Sequence, residues 1–351
     1  ITSHVASYDL VRKMRASILV LGPLLARHHQ AEVSLPGGCA IGVRPVNLHL
    51  LGLEAMGAQI KIEDGYIKAT APQGLQGCDF TFPVVSVTGT ENLLMAATLA
   101  KGITRLINAA CEPEVTDLAA CLVKMGAKIS GIGTSCLEIV GVEKLYGATH
   151  DVLPDRIETG SYIMAVGLAG GEVTLLNTSL DLLPTVTNIL HQVGIDLKPV
   201  ENGIYVKSIP QNLVAQDIST APYPGFPTDL QAQYVALMTG VQGTAKITET
   251  IWENRFMHVP ELTRMGAHIE VEGTTLTVHG NTVLRGAPVM ATDLRASKSL
   301  VIAGLAAQGE TIVNRIYHLD RGYEALEDKL QSCGADIKRM SDCETLVNNE
   351  S

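Results

Sequence analysis

The residue best placed for chemistry is Cys39, in the run Leu35-Pro36-Gly37-Gly38-Cys39-Ala40-Ile41-Gly42-Val43-Arg44-Pro45. Three glycines predict a pliant surface loop, and a helix is expected to begin near Pro45. The positive end of that helix and the Arg44 cation both favour a thiolate. A reachable, activated thiol suits an acid or nucleophile on a movable loop. The alternative is an incidental loop cysteine. Cys121 and Cys333 fall in helical patterns and Cys136 in a strand pattern, where a cysteine is usually inert.

Several other residues suit an anionic substrate. Arg295, in Thr292-Asp293-Leu294-Arg295-Ala296-Ser297, and Arg321, in His318-Leu319-Asp320-Arg321-Gly322, are expected near helix starts. Free N–H groups and a guanidinium fork bind carboxylate or phosphate there. Arg15 reads by itself as a solvated helix position. Asp229, in Phe226-Pro227-Thr228-Asp229-Leu230, is either a helix cap or a general base. Ser86, Val87, Thr88 and Gly89 resemble a backbone nest ahead of a helix. None of the ten histidines shows metal-ligand spacing along the chain, and there is no phosphate-loop or dinucleotide fingerprint.

The elements that position these residues repeat. Leu53-Glu54-Ala55-Met56-Gly57-Ala58-Gln59-Ile60 recurs as Leu122-Val123-Lys124-Met125-Gly126-Ala127-Lys128-Ile129, with looser copies at Gly194, Gly266 and Gly334. The glycines lie 69, 68, 72 and 68 residues apart. Each is read as the left-handed close of an amphipathic helix, followed by a strand and usually by a turn and a second strand. Gly102, Gly171, Gly243 and Gly309 each close a more apolar helix that leads into a strand. The predicted unit is therefore helix, strand, helix, hairpin, an α/β arrangement with helices inside and sheets outside. A helix is expected from about Leu10 to Leu21. The expected domains are residues 1–153 and 154–343, divided at Val152-Leu153-Pro154, with a polar tail at 344–351.

Composition narrows the function. At 351 residues the chain exceeds one core, and 46% hydrophobic against 18% charged content fits a well-packed protein. A net charge of −10 and no basic run argue against nucleic acid. No stretch is apolar enough to span a bilayer. Seven cysteines at irregular spacing fit a reduced, cytoplasmic protein. The chain begins at Ile1, so a fragment or processed product is expected.

These segments carry a resemblance. LPGGCAIGVRP, VLPDRIETG, PYPGFPTDLQAQ, ITETIWENRFMHVPEL, MATDLRAS and IYHLDRGYE, in that order, resemble the UDP-N-acetylglucosamine enolpyruvyl transferases over essentially the whole length. The resemblance implies the inside-out α/β barrel fold of the enolpyruvyl transferases: two similar domains of three units each, with ligands in the cleft between them. It implies transfer of the enolpyruvyl group of phosphoenolpyruvate to the 3-hydroxyl of UDP-N-acetylglucosamine, an early step of peptidoglycan synthesis. No cofactor or metal is implied, and the protein is expected to act as a monomer on small molecules alone.

Carried over residue by residue, Cys39 is the acid or adduct-forming thiol and Asp229 the carboxylate near the sugar hydroxyl. Arg15, Arg44 and Arg321 match the arginines around phosphate and carboxylate, with Arg295 as a further anion contact. Arg44, Pro45, Val46, Asn47, Leu48, His49, Ser86, Val87, Thr88, Gly89 and Ile251 match the nucleotide-sugar contacts. Two departures stand out. No Lys-Asn pair precedes Arg15, so one unit of the family pattern is missing here, and Asn47 stands where many relatives carry Asp. The rival readings are a 3-phosphoshikimate enolpyruvyl transferase and an inactive, ligand-binding fragment.

Overall fold

The computed structural model describes residues 3–12, 14–36 and 46–340. Cys39, Arg44, Pro45 and Cys343 lie outside them. Two compact units divide the chain, residues 1–153 with 222–224, and residues 154–221 with 225–351.

The first unit runs β1 (Val5–Ala6), α1 (Tyr8–Val11), a 3-10 turn (Arg15–Val20), α2 (Leu21–His28), β2 (Gln30–Ser34), α3 (Asn47–Ala55), β3 (Gln59–Glu63) and β4 (Tyr66–Thr70). It continues with β5 (Asp79–Thr81), α4 (Val87–Ala97), β6 (Ile103–Ile107), α5 (Pro113–Lys124), β7 (Lys128–Ser130) and β8 (Cys136–Val140). Its two sheets have the orders β1-β2-β4-β3 and β5-β6-β8-β7. In each, the first pair is parallel and the others antiparallel. The repeat seen in the sequence is thus a repeat of topology.

The second unit contains α6 (Arg156–Ala169), β9 (Gly171–Leu176), α7 (Pro184–Val193), β10 (Asp196–Val200), β11 (Gly203–Ser208) and β12 (Ile218–Ser219). A 3-10 turn (Thr228–Leu230), α8 (Gln231–Gly240), β13 (Thr244–Thr248), α9 (Val259–Arg264), β14 (His268–Glu272) and β15 (Thr275–His279) follow. The unit ends with β16 (Pro288–Met290), α10 (Leu294–Ala306), β17 (Ile312–Asn314), a 3-10 turn (Ile316–Arg321) and α11 (Leu326–Ser332). Its sheets are β10-β11-β9, β12-β13-β15-β14 and β16-β17.

Burial explains the layering inside each unit. Every residue from Gln231 to Thr239 of α8 is buried, as is Ala296 to Ala303 of α10. A helix buried on all sides has no water-facing stripe and belongs at the centre. The strands alternate instead: Thr104 and Leu106 of β6 are buried while Ile103, Arg105 and Ile107 face out. One face covers the helices and the other meets solvent. Leu21, Leu25, Leu53, Leu93 and Ile139 centre the first core, and Leu237, Leu262, Leu276, Leu300 and Ile302 the second.

The anchor glycines Gly57, Gly126, Gly194, Gly266 and Gly334 have φ of 88°, 101°, 110°, 97° and 92°. A side chain at that φ is strained, so the recurrence of glycine follows from backbone geometry. Two expectations fail. No strand follows Gly334 within residues 335–340. The stretch from Leu10 to Leu21 is not a single helix but the end of α1, a 3-10 turn and the start of α2. Pro23 has no N–H, and its ring clashes with a continuous helical turn behind it, so a new helix begins just before it.

Candidate functional site

In the first unit the expected contacts gather at the start of α4. Ser86 is extended and its hydroxyl accepts the Gly89 N–H at 3.1 Å, capping the helix. His49, the third residue of α3, is 2% exposed. Its Nε2 lies 3.3 Å from the Thr88 hydroxyl. Its Nδ1 faces the Asn92 amide nitrogen at 2.9 Å. An amide nitrogen can only donate, so Nδ1 accepts and the imidazole proton sits on Nε2, directed at Thr88. Burial, with the Arg15 charge behind it, lowers the His49 pKa to about 4. The ring is therefore neutral near pH 7 and holds Thr88 rather than exchanging protons.

Asn92 ties this corner together. Its amide also donates to the Ile18 carbonyl at 3.2 Å, and its Oδ1 accepts the Gly22 N–H at 2.7 Å. Gly22 leaves no alternative, since a Cβ there would lie 2.3 Å from Asn92 Oδ1. Arg15 is half-buried at the head of its 3-10 turn, not on a solvated helix. Arg15, His49 and Ser86 to Gly89 are brought together; Val46 is buried beside them, Leu48 half-buried and Asn47 exposed.

In the second unit Asp229 sits inside the 3-10 turn and caps no helix. Its carboxylate is held by Arg255 at 2.5 Å and Arg295 at 3.2 Å. Arg255 is 5% and Arg295 16% exposed in their side chains, while Asp229 keeps 40% of its own open. Burial raises the Asp229 pKa, but the Arg295 and Arg255 charges outweigh it and hold the carboxyl well below its usual range.

Arg295 differs from expectation in its surroundings. It is the second residue of α10, but Asp293 already fills that N-terminus, accepting the N–H groups of Arg295 and Ala296 at 2.8 and 3.0 Å. Arg295 therefore acts through its side chain, which reaches both Asp229 and the Tyr323 hydroxyl. That hydroxyl also meets Ser161 at 2.9 Å and accepts from Gln233 at 3.4 Å. Arg321 ends a 3-10 turn instead of starting a helix, because the chain turns again at Gly322 before α11 begins; it stands exposed.

Two residues in this cluster were not singled out from the sequence. Arg255 is one. Glu249 is the other, 2% exposed. Its Oε1 accepts the Ile251 N–H at 2.8 Å and the Thr220 hydroxyl at 3.0 Å, and its Oε2 accepts the Thr228 hydroxyl at 2.8 Å. One buried carboxylate thus fixes both Ile251 and the turn bearing Asp229. Both residues lie within the ITETIWENRF segment, which was the available signal.

The described cysteines are poor rivals to Cys39. Burial, aided by Asp79, pushes the Cys78 thiol up, and burial with Glu112 does the same to Cys111. Linear spacing also missed one grouping. His268, Glu270 and His279 converge across β14 and β15, and among the described residues they are the group able to hold a metal ion. The pairing of His268 with His279 in the ladder creates it, which spacing along the chain does not display.

Comparison with known proteins follows the same lines. Residues 1–330 match the family model of EPSP synthase (3-phosphoshikimate 1-carboxyvinyltransferase). A UDP-N-acetylglucosamine 1-carboxyvinyltransferase of Granulibacter bethesdensis is 60% identical over 341 residues, 97% of this chain and 81% of that protein. The protein of the same name from Rhodospirillum centenum is 61% identical over 97% of this chain and 79% of its own length. Among solved structures, the enolpyruvyl transferase NikO of Streptomyces tendae superposes with a TM-score of 0.85 at 26% identity, covering 96% of this chain and 80% of that one. An EPSP synthase of Acinetobacter baumannii, at 20% identity and a TM-score of 0.70, shares the fold.

Proposed function

The chain belongs to the EPSP synthase family of enolpyruvyl transferases, and within it to the UDP-N-acetylglucosamine 1-carboxyvinyltransferases. On that premise we propose that it transfers the enolpyruvyl group of phosphoenolpyruvate to the 3-hydroxyl of UDP-N-acetylglucosamine and releases phosphate, supplying a peptidoglycan precursor. The observation that carries this reading is about 60% identity over 97% of the chain. No described helix is long and apolar enough to cross a membrane, and the five described cysteines are free, which supports action in the cytoplasm.

In the proposed reaction the sugar hydroxyl adds to C2 of phosphoenolpyruvate while C3 gains a proton. Phosphate then leaves C2 and a C3 proton is lost, restoring the double bond. Cys39 is proposed to supply the C3 proton and Asp229 to take the hydroxyl proton. The guanidiniums of Arg255 and Arg295 support the second role by keeping Asp229 ionised and oriented. An anionic substrate that draws on those cations weakens their hold and raises the basicity of Asp229. Arg15, Arg44, Arg295 and Arg321 are proposed to offset the phosphate and carboxylate charges. Pro45 to His49, Ser86 to Gly89 and Ile251 are assigned to the nucleotide sugar. His49 serves there by fixing Thr88.

The test is acceptor choice. Phosphate release from phosphoenolpyruvate should depend on UDP-N-acetylglucosamine. Release driven by shikimate 3-phosphate instead would assign the chain to the other branch of the family.

A further inference from the structure

We propose that His268, Glu270 and His279 form a binding site for one zinc-class divalent cation on the outer face of the second unit, completed by water. Nothing in the enolpyruvyl reaction uses these residues. They stand on β14 and β15, whose ladder fixes their backbones: His268 is the Cα partner of His279, and Glu270 follows two residues along the same face. Side chains two apart on a strand point the same way, so the three converge by construction.

The donor atoms are spaced for a metal. Glu270 Oε1 lies 3.2 Å from His279 Nε2 and 3.7 Å from His268 Nε2. All three donor atoms fall within 4.8 Å of one another. Bonds of about 2.0–2.2 Å in a tetrahedron put neighbouring donors roughly 3.3 Å apart. Side-chain rotations close the set. The imidazole rings stack with centroids 4.2 Å apart and planes 22° apart, so one exposed ring turns out of the stack for both nitrogens to reach a single ion.

In this structure His279 Nε2 donates to the Glu270 carboxylate at 3.2 Å, and the Thr244 hydroxyl, on the β13 partner of His279, lies 3.4 Å from Nδ1. An ion that displaces the Nε2 proton leaves the ring protonated on Nδ1, directed at the Thr244 oxygen. Such an outer hydrogen bond is the usual companion of a metal-bound imidazole. Two imidazoles and a carboxylate select zinc, cobalt, nickel or copper over magnesium and calcium. The side chains of His268 and Glu270 are 67% and 64% exposed, so an ion can enter from solvent and water can take the open position. The bound ion would staple β14 to β15.

Cobalt(II), then zinc, should be titrated into the full chain with absorption spectroscopy and a competing chelator. The expected result is one saturable site with visible cobalt bands of a nitrogen and oxygen ligand set, free of thiolate charge transfer. His268→Ala and His279→Ala should each weaken it about tenfold or more. The double variant should remove it while leaving Trp252 fluorescence and circular dichroism unchanged. Equal uptake by the double variant, uptake with a thiolate band alone, or no saturable uptake by the unaltered chain would overturn the proposal.

Discussion

Lys298 is a lysine inside the core, and its replacement by methionine should stabilise the second unit. It sits on α10 with 0% exposure, and its Nζ has no hydrogen-bond partner among the described residues. The ammonium lies over two aromatic faces, 4.2 Å from the centroid of Tyr162 and 4.8 Å from that of Tyr323. Burial lowers its pKa from 10.5 to about 7, with Glu158 opposing and Lys329 assisting. A fall of that size corresponds to ~5 kcal/mol, of which ~4 kcal/mol is felt at pH 7, where the amine is half deprotonated. The two rings return about 1 kcal/mol each. Lys298→Met, which keeps the volume and discards the charge, should therefore gain ~2 kcal/mol at pH 7.

The sign with pH follows from proton counting. Between about 7 and 10.5 the unfolded lysine holds a proton that the folded one lacks, so native stability rises with pH in that window. The advantage of Lys298→Met is then largest at and below pH 7 and fades as pH climbs towards 10.5. Urea unfolding followed through Trp252, the single tryptophan and part of the second unit, reads this unit directly. A variant less stable than the parent at pH 7, or a difference that does not shrink between pH 7 and 9, would refute the reasoning.

Other consequences follow from the same contacts. Asn92→Ala should destabilise the first unit by about 3 kcal/mol, because the Gly22 N–H, Ile18 carbonyl and His49 ring lose a buried partner; urea titration by circular dichroism should show it, and a loss under about 1 kcal/mol would contradict it. Asp229→Asn should lower kcat by about 10²- to 10⁴-fold with a far smaller change in KM. Arg255→Leu should leave Asp229 with one cation fewer, raise its pKa and move the acid limb of kcat/KM to higher pH; an unmoved limb would detach Asp229 from the rate. A small anionic epoxide should form one adduct, at Cys39, faster with UDP-N-acetylglucosamine present, since Cys78 and Cys111 are held as thiols; labelling spread over those two in peptide mass maps would count against Cys39.

Much of the fold was legible because backbone geometry leaves a residue signature. A helix closing in the left-handed region selects glycine, so Gly57, Gly126, Gly194, Gly266 and Gly334 mark the repeat in sequence and structure alike. The break at Pro23 was missed because the apolar pattern runs through it while the backbone does not. The polar clusters were harder to see. Arg255 and Glu249 meet the Asp229 turn through tertiary packing, and nothing local to either residue announces a partner 26 or 21 residues away. His268 and His279 become neighbours only once the hairpin register is set. Lys298 lies in an apolar helix whose periodicity gives no warning that the lysine side faces inward.

The most direct test of the account is phosphate release by the natural polypeptide carrying these residues, given phosphoenolpyruvate with either acceptor. Release is expected with UDP-N-acetylglucosamine, is expected to be lost in Cys39→Ser and Asp229→Asn, and is not expected with shikimate 3-phosphate. Release with shikimate 3-phosphate alone, or turnover of UDP-N-acetylglucosamine unaffected by either substitution, would contradict it.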